Sequence, residues 1–495
     1  MSASTVYQRV NTAWMERRLE NVLQRQKELA NLHTNVKKQS TELVKAIGQD
    51  LHTTPAAAAE ELRLVLDVIK ALYGDLDFPG ALCTERSIKA GHSISSNLFA
   101  LGPTLIVPAT HCPFSSTMIP LAAAVAAGSA VVVLLEPSTT STNNLLQKLI
   151  LESFDHEAVG VVLNCQPEPL KDLISRHFGV AVLQSSDDKE ELKKALLEVN
   201  PSIRIHEPAT GLPAIFVDRT TKDLENVAAH LHAMVLQSSR SDTSKMPRMC
   251  FVDEFLTEEL GSLLEKATYT ADLQKNTGVG SSGLKEMLKS IKATFPASYE
   301  QRAKKSNSPV IQISNTDSSI TAETVGKATK AISAAGKVLL LIPIRSLDHG
   351  IDMFNKVNGT RSAQAIYVFA DGKSAFYIGS FTNAQQVFVN DIPLRASVEV
   401  NPSTSGQSYE LPYRPEDFSN NKPIIQTALS KPCNAATDRI SLSSHNLNLG
   451  KIKQPKGGRM SFFEQGLILG VAILLTATST ALYLSRKGLH YSQRR

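Results

Sequence analysis

Residues 14–47 carry apolar side chains at Leu19, Val22, Leu23, Leu29, Leu32, Val36, Leu43 and Ile47, with charged residues between them. That spacing follows the period of an amphipathic helix. Pro55 breaks it, and Leu62, Val65, Leu66, Ile69 and Leu72 form a second helical stripe. The pattern predicts two long N-terminal helices. Beyond them the period changes. Thr104–Val107 is a short unbroken apolar run, followed by a loop broken by Pro108 and Pro113. An Ala-rich helix then runs from about Ser116 to Gly128, a residue type suited to a left-handed cap, and a second apolar run, Ala130–Leu135, follows. Strand, crossover helix and buried strand make a βαβ unit of a parallel sheet. Ligands of such sheets bind beyond the carboxyl ends of the strands, so the loop holding His111 and Cys112 stands at a site-forming position.

Further apolar runs at Val161–Leu163, Val180–Leu183 and Ala214–Val217, then Val338–Ile342, Ala365–Phe369 and Val387–Val389, alternate with helical pattern, including Lys189–Glu198. They predict two α/β lobes meeting near Glu207–Pro213. Residues 431–460 are polar, rich in Lys, Ser, Asn and Gly, and read as a linker. No internal repeat is visible.

Gly466–Leu484 is uncharged and mostly apolar, with Arg459 before it and Arg486 and Lys487 after it. As a helix it is about 28 Å long, close to a bilayer's hydrocarbon core. Phe462, Phe463 and Tyr483 stand at interface depth, and Thr476, Thr478, Ser479 and Thr480 can bond back to their own helix. Residues 461–485 are therefore expected to span a membrane, with 486–495 as a basic tail. A span this near the terminus inserts after translation, which makes a tail-anchored protein with its bulk in the cytosol. Basic residues at both ends leave the positive-inside rule silent.

Composition narrows the picture little. The chain of 495 residues is 42% hydrophobic and 20% charged, an ordinary globular balance with room for about three domains. Its formal charge of +5 lies largely at the C-terminus, and no basic stripe with interleaved aromatics suggests nucleic acid. Cys83, Cys112, Cys165, Cys250 and Cys433 are scattered, with no CxxC pair, which argues for a reducing compartment and against a disulfide framework or zinc site. The N-terminus has no apolar core and is no secretory signal.

Three stretches carry a family likeness: Pro108-Ala109-Thr110-His111-Cys112-Pro113, Ala126-Ala127-Gly128-Ser129 and Leu135-Glu136-Pro137-Ser138. In this order they resemble the aldehyde dehydrogenase superfamily, especially its membrane-bound fatty-aldehyde branch. Members have a Gly-Pro-Trp-Asn-Tyr-Pro-like loop, a helix ending Ala-Ala-Gly-Asn and a strand leading to Lys-Pro-Ser-Glu. The likeness spans roughly residues 15–430 and includes Ile342-Pro343-Ile344-Arg345-Ser346-Leu347-Asp348 and Val389-Asn390-Asp391. It implies two doubly wound α/β lobes plus a small β oligomerisation element, to which the sequence adds a C-terminal transmembrane helix. The expected division is a Rossmann-like lobe over 1–206 with part of the oligomerisation element at 80–100, a catalytic-type lobe over 207–390, and an oligomerisation or bridging segment over 391–430. The resemblance also implies a homodimer, or a heterodimer with an active relative. It puts the endoplasmic reticulum first as the membrane, with peroxisome or mitochondrial outer membrane as alternatives.

In the resembled family a cysteine thiolate attacks an aldehyde, hydride leaves to the nicotinamide of NAD(P), and a glutamate activates the water that hydrolyses the thioester; no metal is implied. The nucleophile motif Gly-Gln-Thr-Cys-Ile-Ala-Pro, with its proline set on Pro247, puts Ser244 at the cysteine. A serine hydroxyl is a far poorer nucleophile without a base. The run from Glu207 to Ser244 is three residues longer than usual, an excess assigned to the loop Arg219–Asp223. The oxyanion asparagine falls on His111, whose imidazole N–H could donate instead, and Cys112 reads as a small buried residue. Glu207 keeps the general-base position, but Ala209 and Thr210 replace the glycines beside it, where backbone passes close to the nicotinamide. On the cofactor side Glu136 replaces the ribose-binding lysine and reverses its charge. Gln184-Ser185-Ser186 replaces the Thr-Gly-Ser turn at the pyrophosphate, Ser333-Ala334-Ala335-Gly336-Lys337 the segment on the second ribose, and Pro412-Tyr413-Arg414-Pro415 the late Pro-Phe-Gly-Gly. Together these changes argue against NAD(P) binding in the family's mode.

The leading expectation is thus a tail-anchored relative that keeps the fold, has lost or nearly lost the oxidation, and serves as a structural or partner-binding element. The alternatives are a working fatty aldehyde dehydrogenase with a non-standard site and an esterase-like hydrolase built on Ser244, His111 and Glu207. The only nearby thiol, Cys250, lies on the apolar run after Pro247 and is expected in the core.

Overall fold

The computed structural model describes residues 2–90, 97–135, 137, 139–163, 167–184, 189–236, 245–274, 282–295, 299–302, 310–314, 320–335, 338–398, 411–422 and 466–480. Met1–Gln426 form one compact unit and Thr427–Arg495 a second.

The N-terminal stripes resolve into α1 (Ala3–Met15), α2 (Val22–Lys38), α3 (Ser40–Leu51) and α4 (Pro55–Asp75), followed by α5 (Phe78–Lys89). The expected two helices are therefore four. The breaks fall at Arg17, whose φ is 56°, and at Gln39, which ends α2 and opens α3. Neither is Pro or Gly, and successive helices that bury one face keep the apolar period running across the break. After β1 (Asn97–Ala100) come β2 (Thr104–Val107), α6 (Pro113–Ala127), β3 (Val131–Leu135), α7 (Thr140–Ser153), β4 (Val159–Leu163), α8 (Pro167–Ile174), β5 (Val180–Leu183), α9 (Lys189–Val199) and β6 (Arg204–His206). Helix α6 starts three residues earlier than the pattern predicts, because Pro113 occupies the first turn, where its missing N–H costs nothing. Gly128 caps it at φ 86°.

The strands stand in the order β4-β3-β2-β5-β6, all parallel. Alternate residues feed opposite faces. Ile106, Val131, Val133 and Val182 pack under α2, α3, α4, α6 and α7, whereas Leu105, Val132, Leu134 and Ala181 pack under α1, α8 and α9. Both faces are covered, as a parallel sheet requires.

The second lobe contains β7 (Ala214–Val217), α10 (Leu224–Leu231) with a π-helical turn His232–Leu236, β8 (Met249–Asp253), α11 (Thr257–Gln274), α12 (Ser282–Thr294), β9 (Tyr299–Arg302) and β10 (Val310–Ile313). It continues with α13 (Ala322–Ala335), β11 (Leu339–Ile344), α14 (Leu347–Asn358), β12 (Ala363–Phe369), α15 (Gly372–Phe381) and β13 (Ala384–Val389). Its sheet runs β13-β12-β7-β8-β11-β10-β9, parallel except for β9. Strand β11 continues through Pro343, two residues past the expected end, with Pro343 opposite Val252.

Residues 411–422 return to the first lobe. Tyr413 and Phe418 join the core under α6, and β14 (Ser419–Lys422) pairs antiparallel with β1 in a two-stranded ribbon. Arg204 fastens the return by donating to the carbonyls of Glu416, Asp417 and Ser419 at 2.8–3.0 Å.

In the second unit residues 466–480 are helical and exposed throughout. Thr476, Thr478 and Thr480 donate to the carbonyls of Ala472, Leu474 and Thr476, the back-bonding anticipated for them. Among the described residues no helix is long and apolar enough to cross a membrane. Residues 461–465 and 481–485 of the expected span lie outside the described residues.

Candidate active site between the two sheets

Strand β6 ends at His206 and β7 begins at Ala214, so Glu207–Pro213 runs from the carboxyl edge of the first sheet to the amino edge of the second. The loops after β2, β5 and β6 lie on the first edge, and the segments leading into β8 and β11 on the second. The crossing is pinned. Gly211 N donates to Ser362 O at 2.9 Å, and a side chain at Gly211 would fall 2.5 Å from that carbonyl, so only glycine fits. Asn358 Oδ1 accepts from Leu212 N, and its Nδ2 donates to Leu212 O.

Glu207 is half-buried at the start of this crossing. Lys193 Nζ, from α9, donates to Glu207 Oε1 at 2.7 Å, with side-chain exposures of 33% and 21%. That hydrogen bond is the main cause raising the Lys193 pKa above its ordinary value. The carboxylate that would have to take a proton from water is thus engaged by an ammonium of the first lobe. Sequence reading placed Glu207 here but missed Lys193, since nothing in the text links a helix residue to a loop across an intervening strand.

His111 lies half-buried in the turn between β2 and α6, and Cys112 behind it is fully buried, as expected. The first turn of α6 is held by a residue the sequence did not flag. Buried Glu61 Oε1 accepts from Ser115 N at 2.9 Å and from Ser115 Oγ at 3.1 Å. The available signal was a carboxylate beside Leu62, on the apolar stripe of α4. A side-chain acceptor there meets the N–H groups that the first turn of a helix leaves unpaired.

At the carboxyl end of β5, Gln184 Nε2 donates to Tyr413 Oη at 2.8 Å, and both residues are buried. Burial drives the Tyr413 phenol far up, so it is a neutral hydroxyl. Tyr413 and Phe418 flank buried His206, whose Nε2 lies 2.9 Å from Asp417 O. Burial lowers the His206 pKa, so the neutral ring donates to that carbonyl.

On the second edge, Lys245 is fully buried, and Tyr367 Oη donates to its carbonyl at 2.9 Å. Sequence reading passed over it, although a lysine at the isoleucine of the resembled motif was the available signal. Cys250 lies within β8 between Ile215 and Leu341, fully buried, and desolvation pushes its thiol far up. It packs in the core, as expected, and supplies no thiolate. The π-helical turn His232–Leu236 takes in more residues per turn than an α-helix. It offers a second place, beside Arg219–Asp223, for the extra length before Ser244. Ser244, Glu136 and Ser185 lie outside the described residues, and Ser333 falls on α13 with its side chain outside them. Among the described residues no group of three or more His, Cys, Asp or Glu could hold a metal ion.

The model of the Aldehyde dehydrogenase family matches residues 5–406. No curated protein matches the chain. Among solved structures, the substrate-bound AldH of Staphylococcus aureus superposes with a TM-score of 0.65 at 15% identity, covering 86% of this chain and 94% of that one. A mutant of Aldehyde Dehydrogenase C from Pseudomonas syringae, complexed with NAD+ and octanal, gives 0.66 at 14% identity, covering 87% and 90%. Betaine aldehyde dehydrogenase of S. aureus in complex with NAD+ gives 0.64 at 12%, covering 85% and 86%. At such identities these likenesses speak for the fold alone.

Proposed function

The chain belongs to the aldehyde dehydrogenase family, and from that premise we propose that it keeps the family's fold while having lost NAD(P)-dependent aldehyde oxidation. The observation that carries this reading is the burial of Cys250 inside β8, because that is the thiol nearest in the chain to the nucleophile slot at Ser244. The Lys193–Glu207 pair and the Gln184–Tyr413 bond support it from the base and cofactor sides. The residues present do not fit NAD(P) in the family's mode. Glu136 opposes a phosphate-bearing ligand by charge, and the Gln184 amide is committed to Tyr413 rather than to a ligand. What remains is a structural or partner-binding role at a membrane, reached through 461–485 as a tail anchor of the fatty-aldehyde branch's kind. The partner is a second copy or an active relative, and the two-stranded ribbon of β1 and β14 is the element read as joining subunits.

The test is direct. The purified full chain, given NAD+ or NADP+ and a medium-chain aldehyde, is expected to show no absorbance growth from reduced nicotinamide, and calorimetric titration of NAD+ no saturable heat. A catalysed signal abolished by Cys250→Ala would overturn the reading. For the anchor, residues 455–495 fused to a fluorescent protein are expected to stay with membranes through alkaline carbonate extraction, and release into the supernatant would refute it.

A further inference from the structure

We propose that the cleft where α1 turns into α2 beside strand β1 binds a single-chain amphiphilic carboxylate, its head on Arg17 and its chain on the apolar wall. Ala127 and Gly128, at the end of α6 and before β3 begins, put this cleft at the amino edge of the first sheet. Gln184 and Glu207 stand at the carboxyl edge, so this is a second site, and it holds whether or not oxidation is lost.

The cleft holds about 290 Å³ between Trp14, Met15, Leu98 and Phe99. Met15, Leu98 and Phe99 are 68%, 53% and 44% exposed. Single exposed apolar side chains are ordinary on a surface, but three of them, from segments far apart in the chain and gathered around one cavity, mark a binding place. The polar side of the cleft consists of the guanidinium groups of Arg17 and Arg25 and the carboxylate of Glu20. Arg25 spends both terminal nitrogens on neutral carbonyls, Nη1 donating to Ala126 O at 2.6 Å and Nη2 to Glu20 O at 3.1 Å. Its buried Nε has no acceptor among the described residues. Burial lowers the Arg25 pKa, but a guanidinium keeps its proton, so a desolvated positive charge stands in the wall.

Arg17 is the contact group. Its φ of 56° is a left-handed conformation that Gly or Asn holds more cheaply, and such outliers gather where a ligand is held. Its guanidinium stands 6.0 Å from the centre of the Phe99 ring, at the border of the apolar wall. It pairs with Glu20 at 3.2 Å, but the two side chains are 61% and 64% exposed, an ion pair that water and salt screen and that contributes little. With Glu20 set against the two arginines, the cleft keeps one positive charge, which suits a singly charged head, and the planar fork of a guanidinium matches a carboxylate. The volume lies at the lower end for small-molecule sites, so it takes one medium-length chain and not a two-chain lipid.

Trp14 is the only tryptophan in the sequence, so its fluorescence reports on this cleft. The purified full chain, titrated with decanoate below its micelle concentration, is expected to show a saturable shift of Trp14 emission. Decanol and acetate should each bind roughly tenfold or more weakly, since one lacks the charge and the other the chain. Arg17→Gly removes the guanidinium while relieving the left-handed backbone, so it should fold as the native chain does. It is expected to weaken decanoate roughly tenfold or more, the worth of a charge-assisted hydrogen bond. Arg17→Asn, which also tolerates that backbone, repeats the test should glycine loosen the turn. Leu98→Ser should weaken decanoate more than hexanoate. Decanol binding as tightly as decanoate, an affinity unchanged in both Arg17 variants, or no saturable shift at all overturns the proposal. A shift with anionic phospholipid vesicles that decanoate does not produce assigns the cleft to a membrane surface and overturns it equally.

Discussion

Tyr413→Phe tests how the cofactor edge of the first sheet is filled. The substitution keeps the ring, so the core under α6 loses no hydrocarbon and gains no cavity of consequence. It deletes the oxygen that accepts from Gln184 Nε2 at 2.8 Å. The stranded amide donor is buried, which costs about 1–3 kcal/mol. Gln184→Met strands the Tyr413 hydroxyl instead, with a cost in the same range. The double variant removes both polar partners and replaces them with apolar groups of similar shape, a change that can be nearly neutral. The two single costs are therefore expected to exceed the double cost, with a coupling of about 1 kcal/mol or more. Urea unfolding of the purified chain, followed by circular dichroism, gives all four corners of the cycle. Additivity within about 0.3 kcal/mol would refute the bond, and with it the claim that Gln184 is committed to the protein rather than to a ligand.

Three further outcomes follow from particular contacts. His206 is neutral when folded because burial lowers its pKa, whereas the unfolded ring titrates near 6.5, so the unfolded state binds more protons in that window. Stability should thus fall as pH drops through about 6.5, and His206→Gln should flatten the urea midpoint between about pH 7.5 and 5.5; an unchanged slope would contradict it. Asp417, raised by burial, works in the opposite direction near the carboxylate range, which the variant separates. Gly160→Ala places a methyl 2.4 Å from Val6 Cγ1 where α1 crosses β4, and should lower stability by about 1–3 kcal/mol in the same unfolding assay. Gly128→Ala puts a side chain at φ 86° and 3.1 Å from Leu19 O, with an expected loss of about 1–2 kcal/mol; a melting temperature equal to that of the native chain would show that the cap is not left-handed.

The parallel strands were legible because strands buried on both faces are written as unbroken apolar runs. Thr104–Val107, Val180–Leu183 and Ala214–Val217 stand at the residues the pattern gives. The second sheet was less so. Met249–Asp253 ends in a charge and was read only as an apolar run, and Val310–Ile313 is short and follows a polar stretch. Pro343 read as a strand end, yet it lies at the penultimate position of β11, near enough to the end for its missing N–H to be tolerated. Of the candidate site, the text gave positions along the chain and the residue types filling them. It could not give partners: Gln184 and Tyr413 are 229 residues apart, and the carbonyl of Lys245 accepts from Tyr367, in a strand more than a hundred residues later.

The return of residues 411–422 bears on the order in which the molecule is made. The core under α6 includes Val398, Tyr413 and Phe418, so a ribosome that has released His206 has not yet released the material that closes the first lobe. At ordinary elongation speeds roughly 10–40 s separate the two events. Throughout that interval the apolar underside of α6 stands uncovered. Nascent chains halted between about residues 210 and 410 should therefore recruit holding chaperones strongly, and release them once Phe418 emerges.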